Sequence, residues 1–308
     1  MSETLAIVEK SAHRLAFYDL AEGRLVDTID LPEFPHEIAL SPDGRTGFIG
    51  HYGAWNSADP RRGGSEVFVI DLRERRLAHT IDLRPFRRLH GLQCDARGRL
   101  FVLAEADDML CVVENPQTDA RPDRAVRTGG VKGHLVAVTR DGETAFCSNL
   151  LSHSITKVAP FSAETVPVAI EPGLRPEGLC LSADEKRLYV LNRGDGSLVE
   201  IDTATCKIVR KTSIRGEGTR IYRNGAERLL LASYIDESIS ILERATLREI
   251  GYLRLGGRAT AASLHPERRE AYVSLENDQL VRVDLVNFTE IGRFATGREP
   301  DLSVLVRC

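Results

Sequence analysis

No stretch of this 308-residue chain is long and apolar enough to span a bilayer. The opening residues, MSETLAIVEKSAHR, include the acids Glu3 and Glu9 and lack the apolar run of an export signal. The six cysteines (94, 111, 147, 180, 206 and 308) form no C-x-x-C pair and no framework spacing. Without an export signal they are expected to be reduced thiols, mostly buried, in a cytoplasmic protein. Positive charge is scarce too. Lysine and arginine number 41 against 45 acids, for a net charge of −4, and basic clusters such as Arg61-Arg62 and Arg87-Arg88 are short. A nucleic-acid partner needs a concentrated basic face, so none is expected. Several catalytic signatures are missing as well: no G-x-S-x-G elbow, no G-x-x-x-x-G-K-S phosphate loop and no H-E-x-x-H pair. A serine-triad hydrolase is therefore unsupported. Strand–helix alternation is also lacking, so a dinucleotide enzyme is unsupported too.

What is there is a repeat of strands. A tight turn recurs as SPDG at 41, DARG at 95, TRDG at 139, SADE at 182 and HPER at 265. An apolar strand precedes each turn and another follows, such as Gly47-Phe48-Ile49 and Leu188-Tyr189-Val190. A third strand often ends in an acid (VFVIDL at 67–72, LVRVDL at 280–285), and a fourth resembles LAHTIDL at 77–83. Four short strands in a unit of about 42 residues, with almost no helical periodicity, predict a β-propeller blade.

The residue five before each turn sets the register: His36, His90, His134, Glu177, then Gly218 or its neighbour Thr219, Thr260 and Asp301. The intervals are 54, 44, 43, 41, 42 and 41, and 43 more close the circle through the termini. The prediction is an all-β, seven-bladed propeller of four-stranded antiparallel blades, one domain over 1–308. Its last blade would combine about 298–308 with 1–31, which removes exposed sheet edges.

The pattern P-x-x-I-A-x-SPDG-x-x-x-F-I, followed by V-x-V-I-D-L and x-x-T-I-D-L, resembles the YVTN repeat of lactonase-like seven-bladed propellers. Tyr189-Val190-Leu191-Asn192 is one residue from the eponymous tetrapeptide. The resemblance covers essentially the whole chain. It implies the fold; for activity it implies a choice among lactonases, lyases, oxidases and binding scaffolds.

In such a fold the register positions ring one mouth of the central channel. Three consecutive blades place histidine there. Eight histidines scattered at random would put three in one column in roughly one protein in fifty. The next column, Glu37, Gly91, Leu135, Gly178, Thr219, Ala261 and Leu302, holds none. Converging imidazoles with nearby carboxylates suit a divalent metal (zinc, iron or manganese), and His36, His90, His134, Glu177 and Asp301 are the candidate ligands. A metal would also keep the gathered imidazoles neutral. The second-strand ends should reach the same mouth, supplying His51, Glu105, Asn149, Asn192-Arg193, Tyr234, Glu276 and Glu9. His51 is the candidate fourth ligand or general base, Glu177 and Tyr234 are further catalytic candidates, and Arg193 and Arg220 are candidates to hold a substrate carboxylate or phosphate. Residues 51–66 form a loop about ten residues longer than its counterparts, carrying the only tryptophan, Trp55, as a candidate lid. His13, His79 and His265 fall outside the ring.

These residues point to a metal-dependent hydrolase or lyase acting on a small polar molecule, as a monomer or homodimer without a membrane partner. An iron- or copper-dependent oxidoreductase and a non-enzymatic propeller that binds on its top face are the alternatives.

Overall fold

The computed structural model describes residues 3–162 and 166–306; Cys308 lies outside them. Its strands form seven four-stranded sheets, each antiparallel throughout. Blade 1 contains Pro35–Leu40, Thr46–His51, Glu66–Asp71 and Arg76–Asp82. The innermost strands of blades 2 to 6 are Leu89–Cys94, Gly133–Val138, Pro176–Leu181, Gly218–Asn224 and Ala259–Leu264. The seventh sheet joins Pro300–Val306 to Thr4–Glu9, Arg14–Asp19 and Arg24–Asp30, with Thr4 opposite Val306 and Leu5 opposite Leu305. Innermost strands touch their neighbours in unbroken cyclic order, Pro300–Val306 meeting Pro35–Leu40. The described residues thus form a seven-bladed β-propeller. No helix is long and apolar enough to cross a membrane among the described residues.

Continuous apolar character along the second and third strands explains the layering. Both faces of these strands are apolar because each sheet lies between two others, so burial is nearly continuous, as in Thr46–His51 and Glu66–Asp71. The outermost strands, such as Arg76–Asp82, are mostly exposed or half-buried. The core is accordingly divided into seven clusters, one per interface between adjacent blades. Phe17, Phe68 and Ile49 fill the one between blades 7 and 1. The four cysteines 94, 111, 147 and 180 are desolvated, which pushes each thiol up to about 12. They behave as small apolar residues, and all five described cysteines are free.

The recurring turn is built by its first and third residues. Ser41 Oγ donates to Asp43 Oδ1 at 2.6 Å and accepts from Thr46 N at 3.0 Å. Gly44 takes the left-handed conformation (φ 71°) that closes the turn. Thr139 with Asp141, and Ser182 with Asp184, repeat the arrangement.

At the opposite ends of these strands a second device recurs. The residue just before the innermost strand is left-handed in five blades: Phe34, Arg88, Lys132, Arg175 and Glu299. Histidines support two of them, His13 Nδ1 accepting from Phe34 N at 3.1 Å and His153 Nδ1 accepting from Arg175 N at 3.2 Å. Then every innermost strand slips register by a bulge. In blade 1 His36 faces Gly50 and Ile38 faces Ile49, leaving Glu37 unmatched. The same slip occurs at 89–92, 133–136, 176–179, 218–220, 259–261 and 300–303. A bulge re-aims a side chain, and here it falls at the ring position of all seven blades.

Candidate functional site

The bulges gather His36, His90, His134, Glu177, Thr219, Thr260 and Asp301 around one mouth, where they line a cavity of about 210 Å³. Thr219, not Gly218, is the fifth blade's ring residue, and Arg220 takes the next tier. The sequence left the ring position of this blade open between Gly218 and Thr219. Its turn begins at Asn224 and lacks the hydroxyl–aspartate pair found in blades 1, 3 and 4.

The three histidines form a row. His36 Nε2 lies 2.8 Å from His90 Nε2, so one of the pair carries the shared proton. The rings of His90 and His134 pack at a 36° tilt with centroids 3.7 Å apart. Carboxylates hold both ends of the row. His36 Nδ1 pairs with Asp301, and His134 Nδ1 lies 3.1 Å from Glu105 Oε2. Glu105 also accepts from Tyr52 Oη at 2.7 Å. Asp301 thus backs His36 and lies outside both groups of converging donor atoms. Such carboxylate–histidine pairs fix the ring and its tautomer, leaving the other nitrogen free to act.

Burial and charge set the protonation of these groups. Desolvation, followed by the neighbouring His134 and His36, pushes His90 well below the ordinary histidine range. Burial alone would raise the Asp301 carboxyl, but the charge and hydrogen bond of His36, with Arg220 and Lys10, hold it down. Glu105 is likewise opposed by burial and lowered by the His134 hydrogen bond. Tyr52 is raised by burial and then by Glu105, so it remains a donor. His90 is 3% exposed and its Nδ1 has no partner among the described residues.

Below the ring, Arg220 Nη2 donates to Glu37 Oε1 at 2.5 Å. Arg220 Nε reaches the Thr260 carbonyl at 3.4 Å, and its Nη1 is buried without a partner among the described residues. This ion pair joins blade 1 to blade 5 across the channel. A second cavity, of about 600 Å³, continues toward the opposite face between Leu92, Leu135, Leu179, Leu181 and Ile221, and Arg220 borders both cavities.

Donor atoms assemble as two groups that share one residue: His36, Glu37 and His90, and His90, Glu105 and His134, with the atoms of each group within 4.8 Å of one another. Glu177 is turned elsewhere. Its Oε2 accepts from Arg193 Nη1 at 3.2 Å, and its Oε1 lies 3.8 Å from His134 Nε2. Arg193 also pairs with Glu217 at 3.0 Å and lies over the Tyr234 ring. Glu177, Arg193, Tyr234 and Glu276 all line the mouth.

His51 does not. Its Nδ1 lies 2.6 Å from Glu66 Oε2 and its Nε2 3.1 Å from the Glu33 carbonyl, so both nitrogens serve the base of the long loop. The expected role as ligand or base is corrected on that ground. Three other second-strand ends close blades. Asn149 bonds Cys147 O, Asn192 bonds Pro172 O, and Glu9 pairs with Arg14 and Tyr18. The sequence reading missed Tyr52, Glu37 and Lys10; Tyr52 sits one residue past a strand end, a position the repeat does not mark.

The long loop overhangs the mouth, with Asn56 and Ser57 in the lining. Trp55 Nε1 donates to Glu299 Oε1 at 3.2 Å, reaching blade 7, while Arg88 donates to the carbonyls of Ser57 at 3.2 Å and Arg61 at 2.8 Å.

Glycine next to the ring is a matter of space. A Cβ on Gly91 would lie 2.8 Å from the His134 carbonyl and from Leu135 Cα. Backbone cannot yield as a side-chain tip does, so Gly91→Ala is expected to cost about 1–3 kcal/mol by overpacking. Because the strain falls on His134, activity should drop with stability. Chemical denaturation and rate measurements on one preparation check both.

No protein-family model matches the chain, and no curated protein matches it by sequence. Solved structures do resemble it. A Bacteroides fragilis protein assigned as a 6-phosphogluconolactonase has a TM-score of 0.79 at 15% identity, covering 99% of this chain and 98% of its own. The periplasmic gluconolactonase PpgL of Pseudomonas aeruginosa gives 0.77 at 16%, over 100% and 99%. The dihydro-heme d1 dehydrogenase NirN gives 0.69 at 15%, over 98% and 74%. These likenesses show the fold, a seven-bladed propeller, and this chain carries a row of histidines with adjacent carboxylates at one mouth of its channel.

Proposed function

We propose that the chain is a hydrolase that opens a small polar ester or lactone at the histidine mouth, with a divalent metal (zinc, iron or manganese) bound there. The observation that carries this reading is the row itself: His36 held by Asp301, His134 held by Glu105, and His90 between them with an unpartnered nitrogen. Imidazoles gathered beside carboxylates in this way are what a divalent ion takes as ligands. When bound, such an ion polarises an acyl oxygen and lowers the pKa of water.

The chain's own residues supply the rest. Glu177, hydrogen-bonded to Arg193, takes a proton from the attacking water as the water oxygen bonds to the acyl carbon. The same carboxyl returns that proton to the departing alkoxide when the carbon–oxygen bond breaks. Lys10 and the free Nη1 of Arg220 provide positive charge for the carboxylate formed. The mouth is lined chiefly by charged and polar side chains, which suits a small polar substrate better than docking of an apolar protein surface.

The test is metal content of the purified protein, followed by pH-stat assays on glucono-δ-lactone and a panel of lactones and esters before and after chelation. Hydrolysis that chelation abolishes and metal restores is expected. Turnover of these substrates at an undiminished rate by stripped protein, or no turnover by metal-loaded protein, overturns the reading.

A further inference from the structure

Resting on that reading, we propose that the mouth holds two divalent cations, with His90 as the bridging ligand between them. The two donor groups are separate except for His90: one brings His36 and Glu37, the other Glu105 and His134. The 4.8 Å span of each group needs only modest settling, because bonds of about 2.1 Å to a tetrahedral ion place ligand atoms some 3.4 Å apart.

The ring of His90 is suited to serve both positions. Its Nε2 lies 2.8 Å from His36 Nε2, on the side of the first group. Its Nδ1, buried in a residue only 3% exposed, has no partner among the described residues. A buried nitrogen of this kind ordinarily finds a hydrogen bond, and a second cation would satisfy it. The supporting residues fit as well. His36 keeps its Nδ1 on Asp301 and offers Nε2. Glu37 gives Oε1 to Arg220 and offers its other oxygen. Glu105 gives Oε1 to Tyr52 and offers Oε2, 3.1 Å from His134 Nδ1.

The protons balance. Neutral His90 carries one N–H. The first cation binds at its lone-pair nitrogen and releases none. The second replaces the remaining ring proton, which passes to solvent, and His90 becomes an imidazolate. His134 moves its proton from Nδ1 to Nε2, which faces Glu177 Oε1 at 3.8 Å. Four carboxylates, those of Glu37, Glu105, Glu177 and Asp301, together with the imidazolate, offset the charge of the two ions.

The test loads chelator-stripped protein with zinc and measures bound metal by plasma mass spectrometry after gel filtration, alongside calorimetric titration in buffers of different ionisation enthalpy. Two zinc ions per chain are expected for the natural protein, with an extra proton released in the second binding phase. Glu105→Gln and Glu37→Gln should each hold one, and circular dichroism confirms which variants are folded. One ion in the natural protein, or two in both folded variants, overturns the two-cation site and leaves the hydrolase reading standing. A natural protein that binds none of zinc, iron or manganese overturns both.

Discussion

Replacing His90 with alanine is expected to lower kcat/KM for lactone hydrolysis by at least about a thousand-fold, equivalent to roughly 4 kcal/mol of transition-state stabilisation. His90 is the residue the two donor groups have in common, so its loss dismantles both at once. Stability should move far less. The imidazole is buried but its Nδ1 makes no hydrogen bond among the described residues, so deletion removes an unsatisfied group along with the Nε2 bond to His36 and the ring contact with His134. The comparison variant is His51→Ala. His51 bonds Glu66 and the Glu33 carbonyl beneath the long loop, outside the lining of the mouth. A partly exposed group of that kind is worth about 0.5 kcal/mol when lost, so activity should stay within roughly twofold. Steady-state kinetics on the two purified variants settle the matter. Equal losses in both would place the chemistry elsewhere.

The pair also marks where the sequence was legible. The repeat of turns and apolar strands specified seven blades because each blade solves the same physical problem, two buried faces and one tight turn, and solves it with the same residue types. The ring positions followed, since a bulge placed at one point of the repeat presents one column of side chains to the channel. His36, His90 and His134 were found that way. What the repeat could not show was where the side chains turn once there. Asp301 and Glu177 occupy ring positions as expected, yet one backs His36 and the other bonds Arg193. Those choices depend on charges arriving from other blades. His51 sits at a strand end that the repeat directs toward the mouth, but Glu66 on the adjacent strand draws it away. In the fifth blade the turn lacks the hydroxyl–aspartate pair, so a one-residue ambiguity survived there and hid the tier to which Arg220 belongs.

That tier carries the second large effect. Arg220→Leu is expected to destabilise the fold by about 3–5 kcal/mol, because it leaves the Glu37 carboxylate without its partner inside the protein. Both residues are 8% exposed, and the guanidinium donates to Glu37 at 2.5 Å. Burial alone would lower the Arg220 pKa, but the Glu37 charge more than compensates and raises it, as a closely held ion pair requires. The strand cannot relieve the loss by turning Glu37 to solvent. Glu37 is the unmatched residue of a bulge, is itself left-handed at φ 54°, and donates its backbone N–H to Asp301 Oδ2 at 3.3 Å. Movement there would pull on His36 as well. The double variant Glu37→Leu with Arg220→Leu removes both charges and should recover most of the stability, since apolar replacement of a buried pair is often neutral or better. A double-mutant cycle by urea denaturation is therefore expected to give a coupling of at least about 2 kcal/mol. Additive losses would mean that water reaches Glu37 freely. In that case the pair would not form the floor that separates the 210 Å³ mouth from the 600 Å³ channel beneath it.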